Sequence, residues 1–221
     1  MDNVLNTFKN IGIFSALYET LLMIIISTLI SFIVGLLICL VSILTAKDSL
    51  KPNKLVYHLT SFIINLGRSI PFIILLVVLI PFTRFIVGTS IGVRGMIVPL
   101  TLGSIPFVAR VCEDAFLEVD KGLIGAIKAM GAKNTTILYE VYIKESLPSL
   151  IRGIGLTMIM LVGYSAMSGA VGGGGLGGLA ITYGYYKFDS TSMVMIVIMI
   201  VLMVQVIQKT FDLVSKKIDK R

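Results

Sequence analysis

Side chains able to do chemistry are few in this 221-residue chain, and their spacing limits what they can do. His58 is the only histidine, stands at one end of an apolar stretch and suits an interfacial position better than a ligand or base. Cys39 and Cys112 lie in or at the end of apolar segments, where a small buried hydrophobe is the usual role and a structural disulfide is not expected. The apolar runs hold no Asp, Glu or His cluster of the kind that proton relays and ion-coupled transporters place inside a membrane. With no Ser-His-Asp set, paired carboxylates or metal-spaced Cys/His group, hydrolytic and metal chemistry have no carrier. The run from Gly169 to Gly178 formally contains G-x-G-x-x-G at Gly172, Gly174 and Gly177. A dinucleotide site needs a strand before that motif and a helix after it, whereas a long apolar run precedes this one. No G-x-x-x-x-G-K-[ST] occurs, so the chain has no P-loop for ATP. The glycines fit a sharp break or re-entrant turn, or close helix packing through small residues, and the break is the favoured reading.

The elements carrying these residues follow from composition. Hydrophobic residues make up 56% of the chain and charged ones 14%, far from the roughly 25% charge of soluble domains. Charge-free runs cover residues 21–46, 153–186 and 190–208, so the chain is polytopic and all-α. Residues 1–20 place Val4, Phe8, Ile11, Phe14 and Leu17 at helical spacing, which suggests a short interfacial helix. No cleavable signal peptide is expected, because the first 18 residues lack a basic start and a continuous apolar core. Five spans are expected, at about 21–45, 56–82, 95–112, 151–170 and 193–211. The second is interrupted by Arg68 and Pro71, the third carries Pro99 and Pro106, and both are expected to kink. Arg68 either snorkels to the nearer face or lines a wet interior beside Asn65 and Ser69.

Lys and Arg orient the spans. Three lie in 47–54, six in 110–152 and five from 209 onward, against Lys9, Arg84, Arg94 and Lys187 on the other side. The positive-inside rule therefore puts the N-terminus outside and the C-terminus in the cytoplasm. The net charge of +7 then reflects cytoplasmic loops rather than nucleic-acid binding. The one sizeable loop, 113–147, repeats Leu123, Ile124, Ile127 and Met130 at helical spacing, Gly131 can end that helix through a left-handed cap, and Asn134-Thr135-Thr136 can start another. Such a hairpin is either a lid on the bundle or a surface gripped by a soluble partner.

At this loop the chain resembles the cytoplasmic signature of ABC importer permeases, E-A-A-x3-G-x9-I-x-L-P. Gly125-Ala126-Ile127, Gly131, Val141 and Ile143 fall at its positions. Gly125 replaces the acid, Ile127 the second alanine and Lys144 the proline, with Leu147-Pro148 as a later Leu-Pro. Tyr18-Glu-Thr-Leu21, Arg68-Ser-Ile-Pro-Phe72, Ile80-Pro-Phe-Thr-Arg84 and Leu161-Val-Gly-Tyr-Ser-Ala-Met167 are similar to the methionine importer permease subunit, within the binding-protein-dependent transport system inner-membrane component family. The resemblance covers about 18–211. It implies the type I ABC importer permease fold: a transmembrane domain over 18–211 between an extracytoplasmic interfacial segment, 1–17, and a cytoplasmic tail, 212–221. It further implies a homodimer in the bacterial cytoplasmic membrane, a cytoplasmic ABC ATPase dimer holding ATP and Mg2+, and an extracytoplasmic methionine-binding protein. The chain itself would hold no cofactor and catalyse no hydrolysis. The coupling helix would present Gly125, Ala126, Ile127, Lys128, Ala129, Met130, Gly131 and Ala132 to the ATPase. An ABC permease for another small amino acid is the near alternative, and a channel or membrane scaffold the distant one.

The path residues expected in such a dimer are Arg68, Tyr164, Ser165, Met167 and Ser168. At about 100° per residue Tyr164 and Ser168 share a face, flanked by Ser165 and Met167. Small residues Gly163, Ala166, Gly169 and Ala170 would let this part of span four approach its mate closely. Met167 is then expected to narrow the path as an apolar gate, with Tyr164, Ser165 and Ser168 offering hydrogen bonds beside it, unless it is a flexible packing residue.

Overall fold

A computed structural model describes residues 11–47 and 49–219. No strand occurs among the described residues. Helix α1 spans Ile13–Thr45, α2 Lys54–Ser69, α3 Phe72–Val78 and α4 Ile80–Val87. They are followed by α5, Gly92–Leu117, and α6, Lys121–Ala129. Helix α7 runs over Asn134–Val171, α8 over Gly175–Leu179 and α9 over Ser190–Ile218. Four of these, α1, α5, α7 and α9, are long and apolar enough to cross a membrane, and α2 with α3 makes a fifth if they form one broken span.

Several expected boundaries move. Residues 1–10, with Val4 and Phe8, lie outside the described part, but from Ile13 onward the expected interfacial helix is simply the start of α1. Left-handed Gly12 (φ 72°) precedes it, and no proline interrupts the apolar run to Thr45. At 1.5 Å per residue this helix is roughly 50 Å long, more than the ~30 Å hydrocarbon core. Span two is broken rather than kinked: α2 stops at Ser69, and Pro71 is extended (φ −58°, ψ 131°) before α3 restarts at Phe72. Pro99 and Pro106, by contrast, both stand inside the single helix α5. The second helix of the charged loop is continuous with span four, widening to π-type turns over Ile137–Ile143 before it passes Pro148.

The chain forms two compact units. One comprises the described residues up to Ile30 with Ile70–Ser104 and Met158–Gln208; the other comprises Ser31–Ser69, Ile105–Thr157 and the chain from Lys209 onward. In the second, Cys39, Ile43, Val108, Cys112, Phe116 and Leu150 make a buried cluster in which both cysteines are free thiols. Close approach needs glycine here. A Cβ on Gly35 would stand 2.7 Å from Val108 Cγ1, and one on Gly153 2.4 Å from Val111 Cγ1. Small residues thus substitute for a hydrophobic driving force that lipid does not supply. Polar groups in this interior are paired: Ser42 Oγ donates to Glu113 Oε1 at 3.1 Å, and Arg110 Nη1 reaches Glu113 Oε2 at 2.9 Å.

Candidate functional site

The charged hairpin is built from its caps inward. Asp120 is the N-cap of α6, its carboxylate accepting the Gly122 N–H at 2.8 Å, a residue the sequence reading passed over although its type and place signal a cap. At the other end Gly131 takes φ 80°, as expected, and the Ala132 N–H donates to the Ile127 carbonyl at 3.3 Å while the Gly131 N–H donates to that of Lys128 at 3.1 Å. That pair of bonds is the Schellman ending, which satisfies carbonyls the helix leaves orphaned. Asn134 begins α7, but the preceding Lys133 occupies the cap position, and the Asn134 side chain instead donates to the Leu50 carbonyl at 3.4 Å.

Ile124, Ile127 and Ala132 turn inward onto buried Val119, Ile137 and Val141. Gly125, Ala126, Lys128, Ala129, Met130 and Gly131 are exposed, Met130 to 76%. Apart from Lys128, which lines a hollow beside the end of α1, these are small residues with one long methionine, a shape that can seat deeply in a groove. Among the eight expected contact residues, Ile127 and Ala132 hold the helix down rather than face outward.

The other candidate group lies in the unit that holds the glycine run. Helix α7 ends in a second Schellman pair: Gly172 has φ 83°, the Gly173 N–H donates to the Ser168 carbonyl at 2.9 Å and the Gly172 N–H to that of Gly169 at 3.4 Å. This is the break that the sequence suggested. Short α8 follows, and its first amides are received by α1: the Gly175 N–H donates to Glu19 Oε2 at 2.7 Å and the Leu176 N–H to Thr20 Oγ1 at 2.9 Å. On its opposite side, a Cβ at Gly177 would lie 2.6 Å from Ala166 Cα, so α8 is wedged between α1 and α7.

The expected path residues differ in exposure and in partners. Ser165 and Ser168 are buried, and their hydroxyls donate to the carbonyls of Val162 (2.8 Å) and Ser165 (2.7 Å) on their own helix. Their hydroxyl protons are thus used on their own helix, back-bonding to the preceding turn as hydroxyls do in an apolar setting. Tyr164 stacks on Phe72 with ring centroids 4.1 Å apart and planes 6° from parallel. Met167 is 50% exposed, and Gly163, one turn earlier, has open space at its Cβ position. An uncovered stripe thus runs along α7 through Gly163 and Met167. Arg68 is exposed one residue before the end of α2, with no ion pair among the described residues.

The family described as "Binding-protein-dependent transport system inner membrane component" matches residues 38–221. The chain belongs to this family. Among its relatives, the "Probable D-methionine transport system permease protein MetI" of Pasteurella multocida is 48% identical over 209 residues, covering 92% of this chain and 94% of that protein. The "Methionine import system permease protein MetP" of Bacillus subtilis is 46% identical over 178 residues, 80% of each chain. A solved structure of the MetNI methionine ABC transporter in an inward-facing conformation superposes with a TM-score of 0.92 at 44% identity, covering 94% of this chain and 96% of that one. An amino acid ABC transporter determined with histidines shares the fold, with a TM-score of 0.77 at 20% identity. As an inner-membrane component of a transport system, the chain has four or five apolar spans to place in the bilayer.

Proposed function

We propose that this chain is the permease subunit of an ATP-driven importer that carries methionine, as the D or L isomer, across the cytoplasmic membrane. Near-full-length identity to methionine permeases carries the reading: 48% over 94% of one of them. The lack of a P-loop requires energy from another chain, a cytoplasmic ABC ATPase dimer that holds ATP and Mg2+. A second copy of this chain completes the path, and an extracytoplasmic binding protein delivers the amino acid.

Orientation follows from charge, with the N-terminus outside and the hairpin and C-terminus in the cytoplasm. Helix α6 is then the coupling helix. Its outward face of Gly125, Ala126, Ala129 and Met130 seats in a cleft of the ATPase, while Ile124 and Ile127 tie it to α7. ATP binding closes the ATPase pair and swings the two coupling helices together, favouring the outward-open bundle; hydrolysis restores the inward-open one. The coupling is the difference in contacts between these states. Met167 and its mate narrow the path from the uncovered side of α7.

Proteoliposomes holding permease, ATPase and binding protein test the reading. Labelled methionine should accumulate only with ATP, and unlabelled methionine should compete better than other small amino acids. Preferential uptake of another amino acid would reassign the substrate, and ATP-independent flux would point to a channel.

A further inference from the structure

Three cavities differ in the charges they carry. One of about 400 Å³ beside the glycine run is lined by Glu19. Another of about 260 Å³ holds Asp114, Glu118 and Arg152. The third, about 410 Å³, is lined by Lys47 and Lys128 and, among the described residues, by no carboxylate. Its walls include Ile43, Leu50, Phe116 and Ile124. Both lysines are exposed, and neither has an ion pair among the described residues. Two lysines lining an apolar hollow that, among the described residues, holds no carboxylate make a site for an anionic amphiphile.

The position of the hollow says which one. Ile43 and Lys47 bracket the end of α1, where the long first span gives way to the loop, and Ile124 and Lys128 lie on amphipathic α6. Lysines beside a span at the cytoplasmic surface meet the leaflet that carries anionic lipid, and basic pockets at this level suit a phosphate headgroup. A free phosphate compound would satisfy the lysines and leave the apolar wall in water. An acyl chain covers that wall.

We propose that this cavity binds one anionic phospholipid of the cytoplasmic leaflet, its phosphate between Lys47 and Lys128 and its acyl chain along Ile43, Leu50 and Phe116. The assignment rests on the orientation proposed above, but on neither the substrate nor the gate. The bound lipid joins the end of α1 to the coupling helix, so the anionic content of the membrane would tune how firmly that helix is held against its own subunit.

Retention of lipid by the purified transporter complex tests this without measuring uptake. The complex is equilibrated with equal phosphatidylglycerol and phosphatidylcholine, stripped of bulk lipid and weighed by native mass spectrometry. The wild type should keep one phosphatidylglycerol per permease subunit, at least tenfold in preference to phosphatidylcholine. The Lys47→Gln/Lys128→Gln pair should lose that preference, Lys47→Arg/Lys128→Arg should keep it, and Lys54→Gln, outside the cavity, should match the wild type. Absence of a preference in the wild type, or its survival in the double glutamine variant, overturns the proposal. So does displacement of the lipid by millimolar inorganic phosphate, which would assign a site for the headgroup alone. Should the glutamine pair fail to fold, the wild-type competition and the arginine pair still decide.

Discussion

At the scale of single residues, the most constrained contact joins parts of the chain far apart in sequence. Thr20, 1% exposed, receives the Leu176 amide, while Gly175 packs on the same hydroxyl at φ 65°. Thr20→Val keeps the shape and orphans a buried N–H, which should cost roughly 1–3 kcal/mol, whereas Thr20→Ser should restore most of it. Gly175→Ala would put a methyl 2.5 Å from Thr20 Oγ1 in a left-handed backbone, and a loss of about 1–3 kcal/mol is expected. Thermal unfolding in detergent checks both; melting temperatures equal to wild type would show that the α1–α8 contact is not maintained. Asp189, ahead of α9, is held below its usual carboxylate range, first by the Ser192 hydroxyl and then by the Ser192 and Thr191 amides. Because the folded state lowers this pKa, its stabilising effect is full above the ordinary carboxylate range and disappears as pH falls through the lowered value. Amide exchange at Thr191 and Ser192 should therefore speed up, beyond intrinsic pH effects, as pH falls below the ordinary carboxylate range, and Asp189→Asn should abolish that dependence.

At the scale of the element, the proposed coupling role gives α6 two purposes with opposite faces. Its inner face packs on Ile137 and Val141 of α7, its Schellman ending closes its own last turn, and its outer face is exposed. The expected coupling role predicts that Gly131→Trp leaves the permease folded in the membrane but weakens ATPase docking or uncouples hydrolysis from transport. A side chain there has open space within the subunit, so the intrasubunit cost is the left-handed backbone, about 1 kcal/mol. Ala126→Trp separates docking from capping, because Ala126 is exposed and helical. Co-purification of the ATPase should fall in both variants. Full uptake by both at normal expression would remove α6 from the interface, whereas loss of folded protein in Gly131→Trp alone would assign Gly131 only to ending the helix.

At the scale of the whole molecule, topology and assembly are the testable properties. After replacement of Cys39 and Cys112, a Ser49→Cys variant should resist an impermeant thiol reagent in intact cells and react once the membrane is opened. Ready labelling in intact cells would invert the orientation. The half-exposed Met167 and the open Gly163 leave one stripe of α7 uncovered within the subunit. Met167→Cys should accordingly crosslink across the homodimer and stop uptake reversibly. If it fails to crosslink in every nucleotide state while a control pair elsewhere on α7 succeeds, the gate belongs near Arg68 instead.

Composition and local pattern were enough for the membrane class, the apolar spans, the glycine break and the left-handed cap at Gly131, whereas the family came from the resemblance of several motifs to known permeases. Each depends on residues adjacent in the chain: a run of apolar side chains must meet lipid, and a positive φ favours glycine whatever surrounds it. Helix ends were less legible. Pro71 breaks span two while Pro99 and Pro106 sit within α5, because the cost of a proline depends on what its neighbours can repack and rebond. Hydroxyl roles were not legible at all. Ser165 and Ser168 look available from their spacing, but each donates to a carbonyl of its own helix, and nothing near Tyr164 in sequence announces its stack on Phe72. The capture of the α8 amides by Glu19 and Thr20 spans 156 residues, and a contact between such distant segments is decided only when the helices pack.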